Sequence, residues 1–298
     1  MKIVSLIPSA TEIVSSLGLI ENLIGVSHEC DNPREVTRLP KLTKSNIKIK
    51  QSSINIDKDI KRILSFGLSV YEVDADLLKR LNPDFVLTQS QCSVCAVSYD
   101  EVHQCLEKWI ENKPKLIDLR PNHFDDIIND IYKTGESLGV VDKANLIINK
   151  IKEEILLIEK KLRDEKLKKT LCIEWLDPLM VAGNWIPDLI NFSKAHSIIG
   201  ESGKHSPFVK LGDIDEQDFD YIIIMPCGYD IFKTESELKK FNYLFMKKFK
   251  NKKKFIVDGN KYFNRPSTSL LESIRILCEI LHPNIFLPKP SYDRWIEI

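Results

Sequence analysis

The stretch KIVSLIPSATEIVSSLGL, Lys2 to Leu19, decides the fold. Its β-branched apolar start, KIVSLIP, reads as a strand, and the mixed polar and apolar spacing that follows reads as a helix. Ser9 is placed as the N-cap of that helix, with Glu12 at the capping-box position and Gly18 near its end. A strand that feeds directly into a helix is the opening half of a βαβ unit, and such units build a parallel sheet.

The rest of the chain repeats the pattern. LIGVSHEC, DFVLTQ and KLIDL read as strands in the first half, with helices over VDADLLKRLNP and YDEVHQCLEKWIEN. TLCIEWL, YIIIMPCG and KFIVDGN read as strands in the second half, with helices over WIPDLINFSKA, ESELKKFNYLFMKKF and SLLESIRILCEILH. Between the halves, residues 142–167 contain no Gly or Pro and place Leu146, Ile147, Ile151, Ile155, Leu156, Ile158 and Leu162 at helical spacing. About 24 helical residues span about 36 Å, enough for a rigid strut. The expected organisation is an α/β lobe over residues 1–121, a helical connection over 122–168 and a second α/β lobe over 169–298.

A chain of 298 residues fits two such lobes, and 43% hydrophobic with 29% charged residues describes a globular protein. Equal numbers of basic and acidic residues, 43 of each, remove a global electrostatic case for nucleic acid or an anionic membrane. The lysine-rich segment from Lys239 to Lys254 is read as a surface helix whose aromatic residues face the core. No apolar run is long enough for a transmembrane segment, and the polar Ser-Ala-Thr-Glu near the N-terminus does not fit a signal peptide. Seven scattered cysteines suit a reducing compartment, so the expected location is cytoplasmic.

Ligands of open parallel sheets bind beyond the carboxyl ends of the strands, so the loops there are where a site is sought. In the first half these loops carry Ser9, then His28, Glu29, Cys30 and Asp31, then Gln91, Cys92 and Cys95. In the second half they carry Glu174, Trp175 and Asp177, then Asn184 and Trp185, then Cys227, Tyr229 and Asp230, then Asp258, Tyr262, Phe263, Asn264 and Arg265. His205 and Phe208 lie in a further loop of that half. Their concentration points to one cleft between the lobes.

The strings PSATEIVSSLGL, SHECDNP, GLSVYEVDADLL, TQSQCSVCAVS, EWLDPLMVAGNW, HSPF, PCGYD, DGNKYFNRP and ILCEILHP together resemble the cobalamin-binding-protein branch of the class III substrate-binding proteins, in a type without a signal peptide. That family comprises the vitamin and siderophore receptors of ABC importers, and the likeness runs from Ile3 to about Pro283. It implies two Rossmann-like lobes with parallel sheets, joined by a long rigid interlobe helix, and a corrinoid (cobalamin-like) ligand held without chemistry. It also implies an ABC importer permease as partner, which the N-terminus does not favour.

Several readings of the loops stand side by side. His28, Cys30, Cys92 and Cys95 supply the four nitrogen and sulfur ligands that a closed zinc or iron site takes, and would make the chain a metal-binding protein or metal-dependent enzyme. Cys92 and Cys95 precede their helix rather than open it, which disfavours a redox pair and leaves pocket lining as the plain alternative. His28 and His205 are expected in the cleft. Trp175, Trp185, Tyr229, Tyr262 and Phe263 are expected to form an aromatic wall for a flat ligand, with Asn184, Asn264 and Arg265 binding its polar arms. Ser9, Glu29, Gln91, Cys92 and Phe208 complete the expected lining. No hydrolase, phosphate-loop, dinucleotide or zinc-protease motif is present to fix a reaction.

Overall fold

The computed structural model describes residues 1–47, 51–65, 70–91, 102, 103, 106, 113–215, 219–241 and 243–298. The chain divides into two compact units. The first comprises Met1–Gln51, Lys58–Pro121 and Asp125–Ile148, and the second Ser52–Asp57, Asn122–Phe124 and Asn149–Ile298.

Among the described residues, the main sheet of the first unit has four parallel strands in the order β2 (Leu23–Val26), β1 (Ile3–Ser5), β5 (Phe85–Gln89), β6 (Lys115–Leu119). Ile3 is registered with both Leu23 and Phe85, which aligns the carboxyl ends of the three strands. Val4, Leu6, Leu42, Leu78 and Val86 form the core beneath them. The helix after β1 runs Pro8–Ser16. Its N-cap is Ile7, not Ser9, because Pro8 occupies the first helical turn, where its missing N–H costs nothing and its fixed φ is already helical. Ser9 and Glu12 are therefore buried within the helix. A small antiparallel pair, β3 (Thr43–Ser45) with β4 (Tyr71–Val73), had no counterpart in the sequence reading.

In the second unit, β7 (Lys168–Trp175), β10 (Tyr221–Ile224) and β11 (Lys253–Val257) are parallel, with Tyr221 registered to both Thr170 and Lys253. β8 (Met180–Val181) and β12 (Trp295–Glu297) close the two sides antiparallel, and β9 (Ala195–Ser197) pairs with β7. Leu171, Ile173, Ile222, Ile224 and Ile256 are buried on these strands. Phe245 and Phe249 of the lysine-rich segment join that core, while Lys247, Lys248 and Lys250 are exposed.

The long helix spans Val141–Lys161, 21 residues and about 31 Å at the standard rise. Its buried face is Ala144, Ile148, Ile151, Ile155 and Ile158, spaced by three and four. Leu146 and Leu156, expected on that face, are exposed. A second helix, Phe124–Ser137, precedes it. No described helix is long and apolar enough to cross a membrane.

Candidate functional site

The strand-end loops of each unit hold most of the expected residues, with different degrees of access. In the first unit, the loop after β2 places His28 against the small β3–β4 sheet. The backbone N–H of His28 donates to Thr43 Oγ1 at 3.0 Å, and its Nδ1 lies 2.7 Å from the same oxygen. Thr43 in turn donates to Ser27 Oγ at 2.9 Å. A threonine hydroxyl has one proton, and Ser27 receives it, so the proton of the Nδ1 contact belongs to the imidazole. Nε2 is then a bare lone pair. That atom is buried and makes no hydrogen bond. Burial first, and the charge of Lys41 second, lower the His28 pKa, which keeps the ring neutral.

Tyr71 flanks this imidazole, with ring centroids 5.7 Å apart, and its hydroxyl donates to Glu29 Oε1 at 3.3 Å. Cys30 is buried, with its sulfur 3.1 Å from the Thr11 hydroxyl. Ser9 is enclosed in its helix and Gln91 is half-buried. Cys92 and Cys95 lie outside the described residues. Of the four expected metal ligands, only His28 and Cys30 are placed. Among the described residues, no group of three or more His, Cys, Asp or Glu side chains is arranged to hold a metal ion.

In the second unit, the loops after β7, β10 and β11 are tied into one surface. Ser206 Oγ donates to Glu174 Oε2 at 2.5 Å and accepts from the Gly183 N–H at 3.0 Å. The close approach requires a glycine, since a Cβ at Gly183 would sit 2.4 Å from the Lys204 carbonyl oxygen. Ser206→Ala is expected to cost about 1–3 kcal/mol by leaving the buried Gly183 N–H without an acceptor, measurable as a lower urea midpoint. Trp175 packs on Tyr229 with centroids 5.3 Å apart, and Lys233 Nζ lies 5.2 Å from the centre of the Tyr229 ring. The Asn260 N–H donates to the Tyr229 carbonyl at 3.1 Å, which joins the loops after β10 and β11.

Several expected wall residues turn inward. Phe263 is 0% exposed and belongs to the core, not to an exposed aromatic wall. Trp185 is also buried, because its indole N–H is spent on the Phe263 carbonyl at 3.1 Å. Asn264 donates to the carbonyls of Met225 and Gly259, and buried Arg265 donates to Asn260 Oδ1, so both shape the loop itself. Trp175, Asn184 and Tyr262 are half-buried, whereas His205 and Phe208 are exposed, Phe208 by 57%. Thr43, Tyr71, Ser206, Lys233 and Glu237 were not singled out by the sequence reading. The His-Ser-Pro-Phe loop was the one available signal, for Ser206.

The comparisons with known proteins agree with this architecture. The sequence model of the family described as "Periplasmic binding protein" matches residues 3–251. The uncharacterized ABC transporter substrate-binding lipoprotein YvrC of Bacillus subtilis (strain 168) is 28% identical over 160 residues. The alignment covers 54% of this chain and 41% of YvrC, so the chain matches less than half the length of that relative. The periplasmic heme-binding protein of Pseudomonas aeruginosa has a similar fold, with a TM-score of 0.70 at 14% identity over 99% of this chain and 97% of that one. The periplasmic vitamin B12-binding protein BtuF of Vibrio cholerae gives a TM-score of 0.66 at 13% identity, over 94% and 96% of the two chains. With the family model matching along both parallel-sheet units, the chain belongs to the periplasmic binding protein family.

Proposed function

We propose that the chain is a non-catalytic substrate-binding protein of the ABC-importer class whose ligand is a corrinoid. Membership of the family supports the receptor role, and the description of YvrC as an ABC transporter protein supports delivery to a permease. The fold is shared with proteins described as binding vitamin B12 and heme, both metal-centred tetrapyrroles.

The observation that carries the reading is the His28 imidazole. Its tautomer is fixed by Thr43, its Nε2 lone pair is unused, and its lowered pKa keeps that lone pair available at neutral pH. A metal-ligating histidine has this arrangement, with the second ring nitrogen donating to an acceptor of its own. In this reading Nε2 is the atom that the first unit offers to the metal of the bound tetrapyrrole.

The test is a visible-absorbance titration of the purified protein with aquacobalamin, with hemin in parallel. The expected result is a shift of the cobalamin bands as imidazole replaces the bound water. Uptake should be about tenfold weaker in His28→Ala. It should also fade in acid, because protonation consumes the lone pair. A wild-type protein that leaves the aquacobalamin spectrum unchanged overturns the corrinoid reading, and a shift with hemin alone reassigns the ligand to heme.

A further inference from the structure

Tyr229 has a feature that its packing does not require. The residue is 2% exposed, and its hydroxyl oxygen is buried without a hydrogen bond. The ring is positioned by Trp175 on one side and the Lys233 ammonium on another, contacts that a phenylalanine would make equally well. A buried hydroxyl without a partner bears its desolvation cost with no return inside the free protein. Its place at the carboxyl end of β10, beside half-exposed Trp175 and Cys227, is where a parallel sheet presents ligand contacts.

The surroundings determine what the partner is. Burial, then the charges of Glu237 and Cys227, push the Tyr229 pKa up, so the group remains an O–H donor. Glu237 is a buried carboxylate that accepts from the Ser53 N–H at 2.9 Å and lies 3.8 Å from Lys233 Nζ. Lys233 and Glu237 balance each other, so an incoming carboxylate would find no net positive charge here to offset its desolvation, whereas a neutral carbonyl carries no such penalty.

We infer that the Tyr229 hydroxyl is a specificity-determining donor for a neutral amide carbonyl of the ligand, favouring amide-armed tetrapyrroles over carboxylate-armed ones. This rests on the receptor reading above. The experiment measures cyanocobalamin and hemin affinity together with thermal stability for the wild type and Tyr229→Phe. The expected result is about tenfold weaker cyanocobalamin binding in the variant, unchanged hemin binding, and a melting temperature equal to or above that of the wild type. Unchanged cyanocobalamin affinity in a variant whose parent binds it overturns the inference and leaves the receptor reading standing. An equal loss for hemin overturns the amide preference. A fall in melting temperature assigns the hydroxyl a structural partner and also overturns the inference. Wild-type protein that binds neither ligand removes both readings together.

Discussion

Replacing Arg294 with Leu is expected to destabilise the second unit by about 3–5 kcal/mol, the usual cost of stranding a buried charge. Arg294 grips Glu279 with both terminal nitrogens, Nη1 to Oε2 at 3.0 Å and Nη2 to Oε1 at 2.9 Å. The same guanidinium donates to Glu272 Oε1 at 2.7 Å and to the Lys289 carbonyl at 2.8 Å. Glu279 and Arg294 have side chains only 8% and 16% exposed, so solvent screens this bidentate pair weakly. The Trp295 indole and the Lys289 N–H also donate to Glu279. One carboxylate on the Leu270–Leu281 helix thus anchors the segment that supplies β12 to the sheet edge.

The pH dependence gives this prediction a second readout. Burial works to raise the Glu279 pKa, but the hydrogen bonds from Arg294, Trp295 and Lys289 outweigh it and the net shift is downward. A carboxyl with a depressed folded pKa contributes stability above its unfolded pKa and loses it as pH falls through the folded value. The deficit of Arg294→Leu should therefore be full at pH 7 and shrink in acid, followed by urea denaturation at several pH values. The double variant Arg294→Leu, Glu279→Leu should recover part of the loss, because the stranded charge is gone while the Trp295 indole and the Lys289 N–H lose their acceptor. A double variant as unstable as the single one would show that packing, not the stranded charge, is responsible.

The strands that carry site loops were legible because each is a short apolar run followed by helical spacing, as in the first βα stretch. β3 and β4 were not, since Thr-Lys-Ser and Tyr-Glu-Val are only three residues long, too short for a strand period to show, and Val73 also opens the helical spacing of VDADLLKRLNP. Losing them hid Thr43, which contacts His28 Nδ1, and Tyr71, which flanks its ring. The Phe124–Ser137 helix falls within the helical connection expected over residues 122–168, where no separate boundary was marked. Near its end a Cβ at Gly135 would lie 2.5 Å from Ala144 Cβ, so the glycine admits the next helix.

The strand ends marked the loops in which a site is sought, but which way their side chains turn was not legible in the sequence. Phe263 and Trp185 have the composition of a ligand wall and the burial of a core. Period and propensity assign a residue to an element, whereas the direction of an aromatic ring in a loop depends on hydrogen bonds from distant segments, such as that from Trp185 to the Phe263 carbonyl. Tyr229 illustrates the converse. Its ring is buried in the manner of a core residue, while its hydroxyl oxygen is left without a hydrogen bond, a feature that no sequence pattern marks.

Asp130→Asn is expected to stabilise the first unit by about 2–4 kcal/mol at pH 8 and by progressively less as pH is lowered toward 4. Asp130 is 4% exposed and lies in a cavity of about 300 Å³ that it shares with Asp118, Arg120, Asp126, Asn129 and Lys133. Burial pushes its pKa from an ordinary 3.8 up to about 7. The Arg120 N–H, donating to Oδ2 at 3.0 Å, and the Lys133 charge oppose the rise, while Asp126 and Asp118 add to it. Between these two pKa values the folded protein binds a proton that the unfolded chain does not, so stability falls as pH rises through this window. Above about pH 7 the full cost of the buried anion is present. Asparagine removes the charge and retains an oxygen to accept from Arg120, so its gain should track that cost. Thermal or urea unfolding of both proteins at pH 5 and pH 8 decides the matter. A gain that is the same at both values, or a variant less stable at pH 8, would mean that the Asp130 carboxylate is stabilised by its neighbours and not penalised by its burial.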